Sequence, residues 1–318
     1  MKEQENQPLF EMVGVQWLQN AKLQIKESSY VKYANFLQNH IIPELGHIPV
    51  CELNTDVVGT FVKKQLTSGR RDGGGLAEKT VKEMLAVVKE ICRYATCHGI
   101  NVPCCFELIK VRCPVNEVKV LKEQEQRQLE KILLSDESYT KTGILLSLYM
   151  GLRLGEVCAL TRENISYKRE IIRVRRTMQR IQDLDQINSK RTKVIVTEPK
   201  SISSIRDIPI PSFLMQRLQP MKYLPDNVYF LSGKSDKFVE PRNMENIFKR
   251  YLREGRIAEV NYHALRHTFA TRCIERGFDA KTLSEILGHS NVNITLNRYV
   301  HSSLEQKRKN MNKLTLCM

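Results

Sequence analysis

NYHALRHTFATRCIERG, residues 261–277, sets His263, Arg266 and His267 at spacings of three and four residues. An α-helix repeats about every 3.6 residues, so positions i, i+3 and i+4 share one face. A face that packed into a core would not be built from two imidazoles and a guanidinium. By themselves these residues fit a metal site, a phosphate-binding site or a buried polar network, and the surrounding chain has to decide among them.

The chain has 318 residues, enough for two domains, each with its own core. Hydrophobic residues make up 42% and charged residues 27%, the balance of a soluble protein. No apolar run approaches the roughly 20 residues that a membrane span requires. The opening MKEQENQPLF lacks the apolar segment of a signal peptide. A cytoplasmic protein without a membrane partner is expected. The 9 cysteines are scattered and form no CxxC pair, which argues against a zinc ribbon or a dithiol redox motif. A net charge of +15 favours a polyanionic partner, and nucleic acid is the best fit.

Outward from the opening stretch, the first third reads as about four helices. Residues 10–20 are amphipathic, Ser28 or Ser29 is placed to cap a helix running from Tyr30 towards Ile42 before Pro43, and Asn54 or Thr55 to cap another. Residues 68–78 (SGRRDGGGLAE) form a loop, and Val81, Leu85, Val88 and Cys92 recur at helical spacing up to Gly99. The two prolines within 100–120 indicate a linker, with the boundary near 110–118. Beyond it, KEQEQRQLEKILL and TGILLSLYMG read as helices. IIRVRRTMQR, KVIVTE and IRDIPI read as strands of a three-stranded sheet or a pair of hairpins. Helices return after Pro211. The expected fold is mainly α with a small antiparallel β-sheet in the second domain.

Several basic side chains stand out along this second part. Arg153 lies in GLRLGE with Glu156 three residues on. The pair is either structural, or Glu156 orients a guanidinium whose free edge meets a phosphate. Lys200 sits in a polar turn between two strands, where an exposed turn lysine is the commoner case. His263 and Arg266 belong to HALRH, His289 to LGHS, and Tyr299 follows in NRYV. Each is weak alone. Their order, R…K…H-x-x-R…H…Y, with GLRLGE and LGHSN…T…RYV around its ends, resembles the tyrosine recombinases, the phage integrase family, and HALRHTFAT resembles its central signature. The resemblance spans 121–300, and less specifically the helical first third.

The resemblance implies a helical core-binding (SAM-like) DNA-binding domain over 1–112 and a catalytic domain with a C-terminal tail over 113–318, without room for a separate arm-site domain. It implies a site-specific recombinase or integrase that cuts and rejoins DNA through a 3′-phosphotyrosyl intermediate, needing no metal, ATP or cofactor. Arg153, Arg266 and His289 would hold the non-bridging oxygens of the scissile phosphate. His263 would assist proton transfer, Lys200 would protonate the leaving 5′ oxygen, and Tyr299 would be the nucleophile. Lys193 is a rival to Lys200, and His267 is expected to brace the fold. The partners implied are double-stranded DNA, a homotetramer on two DNA sites and an accessory directionality factor. The tail 303–318 is a candidate for docking onto a neighbour. Candidate DNA contacts are Arg70 and Arg71 in the glycine loop and the basic residues between Lys168 and Arg180. The strand region resembles integrases of phages and conjugative transposons, which points to a mobile element. Three alternatives stand beside this. A metal hydrolase of the H-E-x-x-H type would use His263 and His267, but residue 264 is alanine rather than the glutamate base. A regulator or degenerate recombinase would bind DNA without cutting it. A type IB topoisomerase would use similar chemistry without site specificity.

Overall fold

The computed structural model describes residues 7–114, 118–184, 191–199 and 201–299, with Arg308, Met311 and Asn312. Lys200 and most of the tail 303–318 therefore lie outside the described residues. The chain divides into two compact units, Met1–Asn116 and Glu117–Met318. Among the described residues, no helix is long and apolar enough to cross a membrane.

The first unit is all helical: α1 (Phe10–Ala21), α2 (Glu27–Phe36), α3 (Ile42–Leu45), α4 (Thr55–Ser68) and α5 (Glu78–Cys97). Its core follows from sequence period. Val81, Met84, Val88, Ile91, Cys92 and Ala95 of α5 are buried at spacings of three and four, against Phe10, Leu37, Ile41 and Phe61. The Asn54 side chain caps α4 by accepting from the N–H groups of Asp56 and Val57, both at 3.0 Å. Neither Ser28 nor Ser29 acts as the expected cap. The helix opens at Glu27 behind an extended Lys26, which leaves both serines inside it. Nor does Pro43 end the helical path. The backbone widens into a π turn over Leu37–Ile41, and Pro43 sits at the start of α3, where a missing N–H forfeits no bond.

The second unit carries helices α6 (Glu123–Leu134), α7 (Tyr139–Met150), α8 (Leu154–Cys158), α9 (Ser212–Leu218), α10 (Pro241–Glu254), α11 (His263–Glu275), α12 (Ala280–Leu287) and α13 (Val292–Tyr299). Strands β1 (Ile165–Ser166), β2 (Ile171–Val174) and β5 (Arg206–Pro209) form one antiparallel sheet in the order β1-β2-β5, while β3 (Thr177–Gln182) and β4 (Thr192–Thr197) form a separate hairpin. The mainly helical fold with small antiparallel sheets is as expected, but IIRVRRTMQR is two strands rather than one. After Val174 pairs with Arg206, the Arg175 guanidinium turns back to the Arg206 carbonyl at 3.0 Å and to Asp207 at 2.5 Å, and the chain leaves one sheet for the other. Apolar over most of its second half, α7 is buried on nearly every side and lies against α11. It closes at Gly151 with φ +66°, where a Cβ would come within 2.6 Å of Phe269 and 2.8 Å of Leu287.

Candidate active site

Two arginines converge on one carboxylate. Arg153 stands just ahead of α8. Its backbone N–H donates to Oε2 of Glu156 at 2.9 Å, its Nη1 to Oε1 at 2.6 Å, and its Nη2 to the Gly288 carbonyl at 3.3 Å. Arg206, on the inner face of β5, donates to both Glu156 oxygens at 2.9 Å and to the carbonyl of Ile286 at 2.6 Å. Burial alone would raise the Glu156 pKa. The hydrogen bonds and charge of Arg206, with Arg153 and Arg266, overcome that and hold it near 2, so Glu156 is ionised throughout the working range.

Arg266 is handled differently. It is 2% exposed, yet among the described residues its hydrogen-bond partners are two backbone carbonyls, Gly151 at 2.8 Å and Leu287 at 2.7 Å. These are the carboxyl ends of α7 and α12, where unsatisfied carbonyls and the helix dipole favour a cation. Burial and then the charge of Arg153 depress its pKa to about 9. Guanidiniums thus outnumber carboxylates in a desolvated pocket, and an anion is the complementary ligand. Arg153, with 32% of its side chain exposed, offers the edge towards solvent.

The histidines and the tyrosine stand around these charges. His289 follows Gly288, whose left-handed φ of +66° ends α12. Its Nδ1 lies 2.8 Å from Oγ1 of the fully buried Thr295. Its ring is parallel to that of Tyr299, 6.5 Å away with 6° between planes. Tyr299 ends α13 with 7% exposure, packed with Phe269, Cys273, Leu283 and Leu287. Its hydroxyl lies 2.6 Å from Nδ1 of His267. The His267 ring in turn meets the His263 ring edge-on, at 4.5 Å and 89°. Burial raises the Tyr299 pKa, against the pull of Arg266, Arg298 and Arg153. The imidazoles are held low, so all three are neutral near pH 7. His263 sits near 4 although the residue is exposed, and His267 and His289 near 3; partial burial leads in each case, followed by neighbouring positive charge.

The structure therefore brings Arg153, His263, Arg266, His289 and Tyr299 to one place, each within the electrostatic reach of Arg266. Lys200 is outside the described residues, and its rival Lys193 lies on β4 with its Nζ 3.6 Å from Asp183. The Arg153–Glu156 pair is tight and still leaves Arg153 an open edge, a geometry compatible with either reading. Sequence reasoning missed Arg206, Thr295 and the contact of His267 with Tyr299. A signal for Arg206 was present: in IRDIPI it shares the inward register of Ile208 and Ile210, an odd place for an unpaired charge. Of the basic surface residues, Arg70 pairs with Asp72, Arg175 with Asp207, Arg176 with Glu163 and Arg180 with Glu240.

Residues 119–306 match the family model described as Phage integrase family, and residues 10–66 match that of the phage integrase N-terminal SAM-like domain. The chain is 28% identical over 315 residues to a tyrosine recombinase XerC-like protein of Caldanaerobacter subterraneus subsp. tengcongensis, covering 92% of this chain and 78% of that protein. It is 25% identical over 213 residues to the transposase from transposon Tn916 of Enterococcus faecalis; the match takes 61% of this chain and 51% of the transposase, about half of that relative's length. A structure of the Tn1549 transposon integrase in complex with a circular intermediate DNA shares the fold, with a TM-score of 0.75 at 18% identity over 97% of this chain and 100% of that one.

Proposed function

The chain belongs to the phage integrase family, and from that premise we propose that it cuts and rejoins DNA at specific sites through a 3′-phosphotyrosyl intermediate on Tyr299. The observation that carries this reading is the buried Arg266, anchored by two backbone carbonyls among the described residues, beside Arg153 and within reach of the Tyr299 phenol. A phosphodiester is anionic and repels nucleophiles. Pre-oriented guanidiniums that neutralise its non-bridging oxygens supply transition-state charge stabilisation without reorganisation. Arg153, Arg266 and His289 take this role. The Tyr299 oxygen bonds to phosphorus as the bond from phosphorus to the 5′ oxygen breaks. Lys200 gives its proton to that oxygen, a transfer of the kind worth about 10²–10⁴-fold. The phosphotyrosyl ester replaces one phosphodiester bond by another of similar kind, so a 5′-hydroxyl from a second duplex reseals it without ATP or a metal ion.

Exchange between two duplexes needs two cuts on each. With one tyrosine per chain, this calls for four copies on paired sites. The helical first unit is the core-binding domain in this reading, and the surface arginines add phosphate contacts. Similarity to the Tn916 transposase favours a mobile element as the substrate. Sequencing the DNA that flanks the coding region, before and after excision, should reveal a circular joint if so.

The decisive experiment uses a duplex nicked just beyond the scissile phosphate, so that the released strand diffuses away and the adduct accumulates. The intact protein should become covalently attached to the 3′ end, with EDTA present and ATP absent. Tyr299→Phe should bind the duplex equally and form no adduct; an adduct on that variant would reassign the nucleophile.

A further inference from the structure

The family resemblance gives proton transfer to His263, yet the contact at the reacting oxygen of Tyr299 belongs to His267. Nδ1 of His267 lies 2.6 Å from that oxygen, whereas His263 meets the His267 ring edge-on. The phenol has one proton to give, and a neutral imidazole has one lone pair to receive it. Three features choose the direction of the bond. His267 is crowded by cationic or potentially cationic neighbours: His263 and Arg266 on its own helix, and Arg298 on α13. The Arg298 side chain also approaches the Tyr299 oxygen as a donor, which leaves the phenolic proton directed at Nδ1. The Tyr299 ring is held in an apolar pocket by Phe269, Leu283 and Leu287, which keeps bulk water from serving as acceptor.

We propose that His267, in its Nε2–H form, accepts the proton of Tyr299 at Nδ1 as the phenolic oxygen attacks phosphorus. The inference rests on the reading of Tyr299 as the nucleophile. One oxygen–hydrogen bond breaks and one nitrogen–hydrogen bond forms. The phenol's electron pair makes the new bond to phosphorus as the bond between phosphorus and the 5′ oxygen breaks, and the electrons of that phosphorus–oxygen bond leave with the 5′ oxygen, which takes its proton from the separate acid. On resealing, His267 returns its proton to the departing Tyr299 oxygen. Binding of DNA prepares the step. A phosphate beside Arg266 and Arg153 offsets the positive charge that, after burial, keeps His267 weakly basic, and disfavours a free phenolate at the same time. The acceptor therefore gains strength when the substrate is in place.

The test compares wild type, His267→Asn and Tyr299→Phe on the nicked duplex, with adduct rates measured between about pH 6 and 9. Asparagine can present its amide near the position of Nδ1 but cannot take up a proton. Adduct formation by wild type and none by Tyr299→Phe secures the underlying reading independently of the inference. The His267→Asn variant should bind DNA as wild type does and cleave about 10²-fold more slowly at pH 7. Its rate should climb about tenfold per pH unit, since the phenol must then ionise beforehand, while wild type stays flatter. A substrate whose 5′ bridging oxygen is replaced by sulfur, a leaving group that needs no acid, should not restore the variant. A wild-type rate, an unchanged pH slope, or rescue by the sulfur substrate would overturn the assignment. Should the variant misfold, wild-type protein labelled with ¹⁵N-histidine gives an independent reading: the proposal requires His267 Nδ1 to be unprotonated, with its signal shifted in Tyr299→Phe, and a protonated Nδ1 would refute it.

Discussion

Arg266 and Arg175 are the same residue put to opposite uses. Arg175 pairs with Asp207 at 2.5 Å, with 39% and 42% of the two side chains in solvent. Arg70 and Asp72 repeat the pattern in the first unit. Such pairs are screened by salt, are worth about 0–1 kcal/mol, and can exchange a carboxylate for a DNA phosphate at little cost. Arg266 is almost wholly buried and leans on carbonyls that cannot neutralise it. The number of arginines therefore says less than the identity of their partners. Surface arginines lend general affinity for a polyanion, and the buried set creates one place where an anion is required.

The largest break in that contrast should come from Glu156→Gln, which removes the anion shared by Arg153 and Arg206. Unpairing buried charge costs about 3–5 kcal/mol, read as a lower urea midpoint, and adduct formation should fall with it. Acid titration supplies the sign. The folded-state pKa of Glu156 is depressed from 4.5 to about 2, so its contribution is present above about pH 4.5 and is lost as pH falls towards 2. The wild-type protein should lose that stability over this window and the variant should lack that limb. A smaller effect is expected from Thr295→Val, which keeps side-chain shape but deprives His289 Nδ1 of its partner. The loss of about 1 kcal/mol in positioning should slow cleavage roughly five- to tenfold with DNA affinity unchanged. Smallest for the fold is Arg175→Ala, with stability changed by less than about 0.5 kcal/mol and the slope of log affinity against log salt reduced by about 1. Were Arg175→Ala as destabilising as Glu156→Gln, the division into two kinds of arginine would collapse.

The site was legible in the sequence wherever chemistry is written into spacing. The i, i+3 interval joins His263 to Arg266 on one helix face, and the short Gly288–Tyr299 segment returns His289 and Tyr299 to the same pocket. Helix α5 was legible because burial follows period, and α7 because of its apolar run. What escaped depends on contacts between distant segments. Arg206 comes to Glu156 from 50 residues away. His267 looks like a bracing residue until α13 folds back to set Tyr299 against it. The division of IIRVRRTMQR into two strands depends on pairing with segments distant in the chain, β2 with β5 and β3 with β4, and the π turn before Pro43 depends on how the chain absorbs a missing donor. No local pattern announces any of these.

The last turn of α12 has a consequence of its own. Successive carbonyls there, those of Ile286, Leu287 and Gly288, receive Arg206, Arg266 and Arg153, and the next residue is His289. A substitution at Gly288 would be felt at once, because a Cβ would come within 2.9 Å of Arg206. Four groups hang from a single peg. Any force that rotates it disarms them in concert, so the enzyme's cutting power should toggle rather than fade.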